Sequence, residues 1–371
     1  MKKSIIKILY IVDSLSICNG VLSVAMNYSR SLNCDKFKID FLVVNKISEG
    51  NDTYANEIKK YGGKIYKIGI NYSLKNVLKI RKYIKKFYFK YNYDIVELHV
   101  PTLSYLLLRK GNFTKNKPIR IIHTHSSIKS ANKVKNFINS VLNFNIKKYG
   151  DYYFGCSIDS GKYWFGNEIV KNSKFYVIPN GTNIEKYSFD SEKRQELRKK
   201  FQIEDKIALG FVGRISKDKN LDFIIDVIKK INNNNIKLFL IGKEGNASKS
   251  IDKLLKGQDS IELLGFRKDT NELYNMLDCI VLCSKKEGLP MVAVEAQLNG
   301  LNCILSDTIT KEVNIGLCEY ILLDKNKWIE AINNIKALNI RNCIDIQKKK
   351  FDIKANAKEL EKIYDRIVRS K

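Results

Sequence analysis

Two carboxylates, Glu287 and Glu295, flank a turn signal, Gly288-Leu289-Pro290, with Met291 following. A helix that starts near Met291 leaves its first backbone N–H groups unpaired, and such helix starts bind phosphate. Glu295 then lies about one turn inside the helix and Glu287 at the loop mouth. Carboxylates on both sides of an N–H-rich turn can hold hydroxyls on either side of a diphosphate. Arg214 directly follows an apolar run ending in Gly213, with Lys217 and Lys219 close behind. An Arg fork plus a Lys point charge suits a leaving diphosphate. The plain alternative is a pair of solvent carboxylates and some surface cations. In a chain with 66 Lys+Arg, position rather than residue type carries the argument.

The chain has 3 His, namely His99, His123 and His125, all within one short window at the ends of two apolar runs. Such histidines suit acid/base work or substrate contact. No acidic ligand cluster accompanies them, so no metal site is expected. Cys18-Asn19-Gly20-Val21 follows the first apolar run and leads into a helical pattern, which makes Gly20 a candidate at a phosphate-side loop. It is not the G-x-G-x-x-G dinucleotide fingerprint, and no G-x-x-x-x-G-K-[S/T] occurs. There is no G-x-S-x-G elbow of a hydrolase. The D-x-D triplet of manganese-diphosphate sites is also missing.

These residues need a frame, and the apolar periodicity supplies one. Strand-length runs fall at 7–13, 38–44, 64–69, 94–100, 120–125, 152–157 and 175–178, then at 207–213, 236–242, 261–266, 279–284, 303–307 and 320–323. Continuous Ile/Leu/Val runs suit strands buried on both faces. Helical patterns fill the gaps, as at 221–231 and 271–277. This alternation predicts an α/β protein of two doubly wound, Rossmann-like parallel-sheet domains. The turn at Pro179-Asn180-Gly181 sets the boundary: residues 1–183 form the first domain and 184–350 the second. Residues 351–371 form a charged amphipathic helix expected to pack back on the first. Ligands of such sheets bind at the carboxyl ends of strands, and a cleft between two domains is the default site.

The net charge is +27 over 371 residues. Residues 1–185 carry 31 Lys+Arg against 12 Asp+Glu, and from His99 to Gly150 there are ten basic residues and no acidic one. That imbalance points to an anionic partner. No zinc finger, helix-turn-helix or RNP-like motif is present, so nucleic acid is not expected. Residues 74–90 and 129–148 pair apolar positions (Leu74, Val77, Leu78, Ile84, Phe87 and Tyr88 in the first) with a Lys-rich face, a pattern that suits an anionic membrane surface. No run approaches the ~20 apolar residues of a spanning helix. Lys7 and Asp13 break the N-terminal apolar run, which reads as a first strand rather than a signal peptide. The expected place is the cytoplasm, peripherally at the inner face of the plasma membrane. The 8 scattered Cys read as small buried hydrophobes.

Taken together, the chain resembles glycosyltransferase family 4, a retaining family with the GT-B fold. The resemblance rests on Ile178-Pro179-Asn180-Gly181, Gly213-Arg214 with Lys219-Asn220, Leu240-Ile241-Gly242, Leu264-Gly265-Phe266 with Asp269, and Glu287-Gly288-Leu289-Pro290 through Glu295-Ala296. Ser306-Asp307-Thr308 through Glu312-Val313 resembles the branch that builds capsular and exopolysaccharides. The resemblance implies a nucleotide-sugar donor, a UDP-sugar above all, and a lipid-linked or oligosaccharide acceptor. It implies that Arg214 and Lys219 neutralise the diphosphate and that Glu295 holds the ribose. Glu287 would contact the donor sugar, and Gly288, Leu289, Pro290 and Met291 would line it. Phe266 and Arg267 would line the base pocket, Gly20 would lie near the diphosphate, and His125 would contact the sugar. No metal or other cofactor is implied. The family often has Gly-Gly near residue 19 with a Glu after it, and a histidine where Glu97 stands; these departures are on the acceptor side. Two other readings share the features: a GT-B-shaped UDP-sugar 2-epimerase, and a non-catalytic basic membrane-binding module.

Overall fold

The computed structural model describes residues 5–17, 19–45, 53–70, 74–113, 115, 117–125, 146–231, 233–243, 245, 251, 254–255, 257–285, 287–337, 341 and 349–371. Residues 1–182 and 353–371 form one compact unit, and residues 183–352 a second.

The first unit holds a seven-stranded parallel sheet, β1 (Ile6–Val12), β2 (Phe37–Val43), β3 (Ile65–Lys67), β4 (Ile95–Leu98), β5 (Ile119–Thr124), β6 (Tyr152–Gly155) and β7 (Phe175–Val177), in the order β3-β2-β1-β4-β5-β6-β7. The second holds β8 (Ile207–Val212), β9 (Ile236–Ile241), β10 (Ile261–Gly265), β11 (Cys279–Leu282), β12 (Asn302–Ser306) and β13 (Cys318–Ile321), in the order β10-β9-β8-β11-β12-β13. Each apolar run of the sequence forms a strand, with ends displaced by two residues or fewer. Their Ile, Leu, Val and Phe side chains fill the cores on both faces. In both sheets the strand order reverses beside the first strand, between β1 and β4 and between β8 and β11. At such a reversal the flanking connections leave in opposite directions, opening a crevice outside the strand ends.

The second unit fastens its reversal point at the far end as well. Asp278, fully buried just before β11, accepts from Arg194 at 2.5 Å, from Arg198 at 3.0 Å and from the backbone of Ala208 in β8 at 2.8 Å. A buried charge is tolerated only when paired and hydrogen-bonded. Here the pairing also sets β11 beside β8.

The Leu221–Ile231 helix buries Leu221, Ile224, Ile225, Val227 and Ile228, the 3.6-residue period read from its sequence. The 271–277 pattern divides into a short helix, Thr270–Leu273, and a 3-10 turn, Tyr274–Met276. The Ile353–Arg369 helix lies in the first unit, with Ala357, Leu360, Tyr364 and Ile367 in that unit's core. One apolar-face assignment is corrected. In the Val77–Lys90 helix the core face is Ile80, Ile84, Phe87 and Tyr88, and Leu78 is 76% exposed, because it falls on the opposite side of the helical period. Of the 129–148 pattern, only Ile146–Lys148 lies within the described residues, as a 3-10 turn with Ile146 buried. Cys156, Cys279, Cys283 and Cys303 are buried free thiols, and Cys34 is exposed. No helix among the described residues is long and apolar enough to cross a membrane.

Candidate functional site

In the second unit, the loops after β8 and β11 meet because those strands are neighbours. Gly213 follows β8, and the 3-10 turn Lys217–Lys219 is closed by Asn220 in the left-handed conformation, φ 56°. Asn220 then turns its amide to the Cys283 carbonyl at 3.1 Å, while the Lys285 N–H donates to the Asp218 carbonyl at 3.1 Å. These bonds bring Lys219 onto Glu287 as an ion pair with side chains only 19% and 11% exposed. Ser284 donates to the same Glu287 oxygen at 2.7 Å. Arg214 behaves differently: its side chain is 65% exposed, with Asp218 at 4.0 Å. It is a cation extended into solvent at the mouth of the strand-end crevice.

Pro290 is the N-cap of the Met291–Leu298 helix, with no side-chain capping bond and no acidic residue in the first turn. No side chain therefore caps this helix start, a kind of terminus that suits an anion. Glu295, half-buried on this helix, accepts from Tyr274 at 3.1 Å. Burial pushes its carboxyl above the usual range, opposed by hydrogen bonds from Tyr187 and Tyr274 and by the Lys186 charge. Gly288 and Leu289 are half-buried and Pro290 is buried. Phe266 and Arg267 follow β10, which β9 and β8 separate from β11, and Arg267 is tied to Asp269 through its guanidinium, with Nε to Oδ1 at 2.8 Å. Sequence reasoning found the charged groups and missed Ser284, Tyr187 and Tyr274, the hydroxyls that orient them. The only signal for these lies in the strand order.

In the first unit, Gly20 opens the Gly20–Ser31 helix after β1, and Asn19 caps it by accepting from the Val21 and Leu22 N–H groups at 3.0 and 3.2 Å. His99 follows β4, and His123 and His125 sit at the end of β5. The three imidazoles lie with ring centroids within 5.1 Å of one another on a single sheet face, His125 stacked on both of the others, because residues two apart on a strand share a face. All are buried. His99 Nδ1 lies 2.8 Å from His125 Nε2, and His125 Nδ1 lies 3.1 Å from Asn180 Oδ1. Glu97, also buried, accepts from His123 Nδ1 at 2.7 Å and from the Tyr364 hydroxyl on the C-terminal helix. Ring nitrogens of the three histidines lie within 4.8 Å of one another, a grouping that could hold a metal ion, although both nitrogens of His125 are already hydrogen-bonded. Neither the partner role of Asn180, read as a turn residue, nor Tyr364 was legible in the sequence.

Burial holds His123 down to about 3 and pushes His99 and His125 well below the ordinary 6.5. Burial pushes the Glu97 carboxyl up, with His99 and Tyr364 opposing. A depressed histidine contributes stability that is complete above about pH 6.5 and is lost as pH falls from there toward its folded value, because the unfolded chain binds the proton first. Glu97 acts in the opposite sense. Three histidines against one carboxyl predict that the unfolding free energy falls between pH 7 and pH 5, by up to about 1.4 kcal/mol per pH unit per histidine, and the unfolding temperature with it. His123→Asn should make that dependence shallower. A wild-type unfolding temperature that is flat across this range would refute the assignment.

Residues 193–360 match the family model for group 1 glycosyl transferases. The chain is 26% identical over 329 residues to the putative glycosyltransferase EpsF of Bacillus subtilis, covering 85% of this chain and 83% of that protein. It is 29% identical over 223 residues to the Escherichia coli UDP-Gal:alpha-D-GlcNAc-diphosphoundecaprenol alpha-1,3-galactosyltransferase, covering 54% of this chain and 57% of that enzyme. Among solved structures, it is similar to Anabaena Alr3699/HepE in complex with UDP and glucose, with TM-score 0.69, 16% identity, and 98% and 99% of the two chains covered. It is also similar to sucrose-phosphate synthase from Thermosynechococcus elongatus, with TM-score 0.79, 16% identity, and 99% and 100% covered. The two parallel-sheet α/β units are those of the GT-B architecture.

Proposed function

We propose that this hexosyltransferase is a retaining enzyme of family 4 that moves a sugar from a UDP-sugar to a lipid-linked or oligosaccharide acceptor in bacterial surface-polysaccharide synthesis. That it is a glycosyltransferase follows from the group 1 match and the named relatives. The observation that most supports the finer reading is the reversal point of the second sheet. There the Lys219–Glu287 pair, the hydroxyl-bonded Glu295 and an uncapped helix start converge from β8 and β11.

In this reading Arg214, Lys219 and the N–H groups near Met291 neutralise the leaving diphosphate, so no metal is required. Glu295 holds the ribose and Glu287 the donor sugar. Phe266 and Arg267 line the base, Gly20 stands near the diphosphate and His125 contacts the sugar. Positive charge develops at the anomeric carbon as the diphosphate departs, and the acceptor hydroxyl attacks from the same face. The protein contributes mainly positioning and fixed charge. The relative named for a diphosphoundecaprenol-linked substrate supports a membrane-borne acceptor. So does the exposed face of the Val77–Lys90 helix, where Leu78 and Phe89 stand among Lys79, Lys82, Lys85 and Lys86.

The test is a panel of nucleotide sugars read by thermal unfolding. A UDP-sugar at a hundred times its Kd should stabilise the fold by about 2.7 kcal/mol. Glu295→Ala should abolish that shift, and EDTA should leave turnover unchanged. Stabilisation by other nucleotide sugars but by no UDP-sugar would overturn the donor assignment. Conversion of the donor to an epimer without acceptor would favour the epimerase.

A further inference from the structure

The polar network of the first unit has a direction, set at its two ends. At one end, the Asn180 amide nitrogen faces the His125 carbonyl at 3.5 Å, which turns its oxygen to His125 Nδ1 at 3.1 Å. An amide oxygen only accepts, so His125 Nδ1 carries the ring proton and Nε2 is an acceptor. The donor to Nε2 is His99 Nδ1, at 2.8 Å.

At the other end, Tyr364 has one hydroxyl proton. It goes to Glu97 Oε2, since a carboxylate accepts, and the Tyr10 hydroxyl therefore donates to Tyr364 at 3.0 Å. His123 Nδ1 occupies Glu97 Oε1 at 2.7 Å. With both oxygens held, Oε1 stays 3.6 Å from His99 Nε2, and the Tyr10 ring packs edge-on against the His99 ring at 4.7 Å. The Tyr10 ring and the His123 ring, the latter 5.1 Å away and bonded to Glu97, set the plane of His99 by packing, so that Nδ1 is the nitrogen that meets His125.

We propose that His99 is a positioning residue for His125: its Nδ1–H holds the His125 imidazole in one orientation with the proton on Nδ1, and His99 is itself held by packing against Tyr10 and against His123, the ring that Glu97 and Tyr364 anchor. The inference rests on the reading of His125 as a sugar contact. A ring with both nitrogens filled is immobile at the strand end. A ring released from His99 could flip or change tautomer, and a displacement of about 1 Å near reacting atoms can cost about a hundredfold in rate. The proposal gives Glu97 a purpose: bonded to Tyr364 and to His123, it anchors the ring against which His99 and His125 both pack.

The chain has 3 His, so 15N-histidine labelling yields only three imidazoles, and the paired ring 15N shifts report each tautomer directly. In the native protein His125 should carry its proton on Nδ1. His99→Asn keeps an N–H donor where Nδ1 stood, and should retain that tautomer and most of the turnover. His99→Gln moves the donor to the Nε2 position and His99→Leu removes it. Both should give mixed His125 tautomers and lower kcat at least about tenfold, with donor KM changed less than about threefold. Tyr364→Phe removes one hydroxyl and should shift His125 in the same direction, which keeps the test open if the leucine variant fails to fold. Equal kcat in the Asn and Leu variants, or an unchanged His125 tautomer in the Leu, Gln and Phe variants, would sink the proposal. Full turnover in His125→Ala would instead remove the sugar-contact reading and leave the tautomer result standing.

Discussion

Lys219→Ala is expected to lower sugar transfer by about 10²–10³-fold, the usual cost of removing one preorganised group that meets developing charge. Two effects combine. Lys219 is proposed to face the leaving diphosphate, and it also neutralises Glu287, whose side chain is only 11% exposed. Truncating one member of such a pair leaves the other desolvated without its counter-charge. Ser284 still donates to Glu287, so the fold should survive with a lower unfolding temperature. The double variant Lys219→Met/Glu287→Gln separates the effects. It removes the stranded charge and should recover stability, yet turnover should remain low. Recovery of turnover in the double variant would reduce Lys219 to a counter-ion for Glu287 and remove it from diphosphate binding. Steady-state kinetics and thermal unfolding of the three proteins decide the matter.

Gly242→Ala is expected to destabilise the second unit by about 3 kcal/mol or more, at the severe end of single substitutions. A Cβ at Gly242 would stand 1.7 Å from the Gly213 carbonyl oxygen and 2.6 Å from its carbon, and these are backbone atoms that cannot swing aside. Gly213 is held by Ile241, Ile215 by Lys243, and Gly242 itself by Gly265, so β8, β9 and β10 close together at this point. Relief requires moving the Gly213–Arg214 backbone, so UDP-sugar binding should be lost along with stability. Gly111→Ala, where an added Cβ meets nothing within 4 Å, is the control and should shift the denaturation midpoint little. A Gly242→Ala protein with native stability would mean that β8 and β9 do not approach as described.

Much of this arrangement is legible in one dimension. Strands buried on both faces must be apolar throughout, so thirteen strand runs declared themselves, and the Leu221–Ile231 helix did so by its 3.6-residue period. The Glu287-to-Glu295 spacing and the Gly213-Arg214 step are local features for the same reason: each is set by one loop and the first turn of the element beside it. Leu78 shows the limit of such reading, since a mixed face has more than one apolar stripe and only packing selects the one that is buried.

What the chain could not disclose locally is which elements become neighbours. Lys219 meets Glu287 because β8 lies beside β11, with β9 and β10 placed on the other side of β8. Glu295 finds Tyr274 from a separate turn, and Tyr364 closes on Glu97 and Tyr10 from the far end of the chain. Periodicity reports burial and local turns; partners distant in sequence depend on how the crossovers order the strands. The residue types able to handle a nucleotide sugar were therefore determined by the sequence. Their pairing into a buried ion pair, hydroxyl-held carboxylates and a directed histidine chain was decided only by the tertiary structure, where burial makes every unpaired polar group costly.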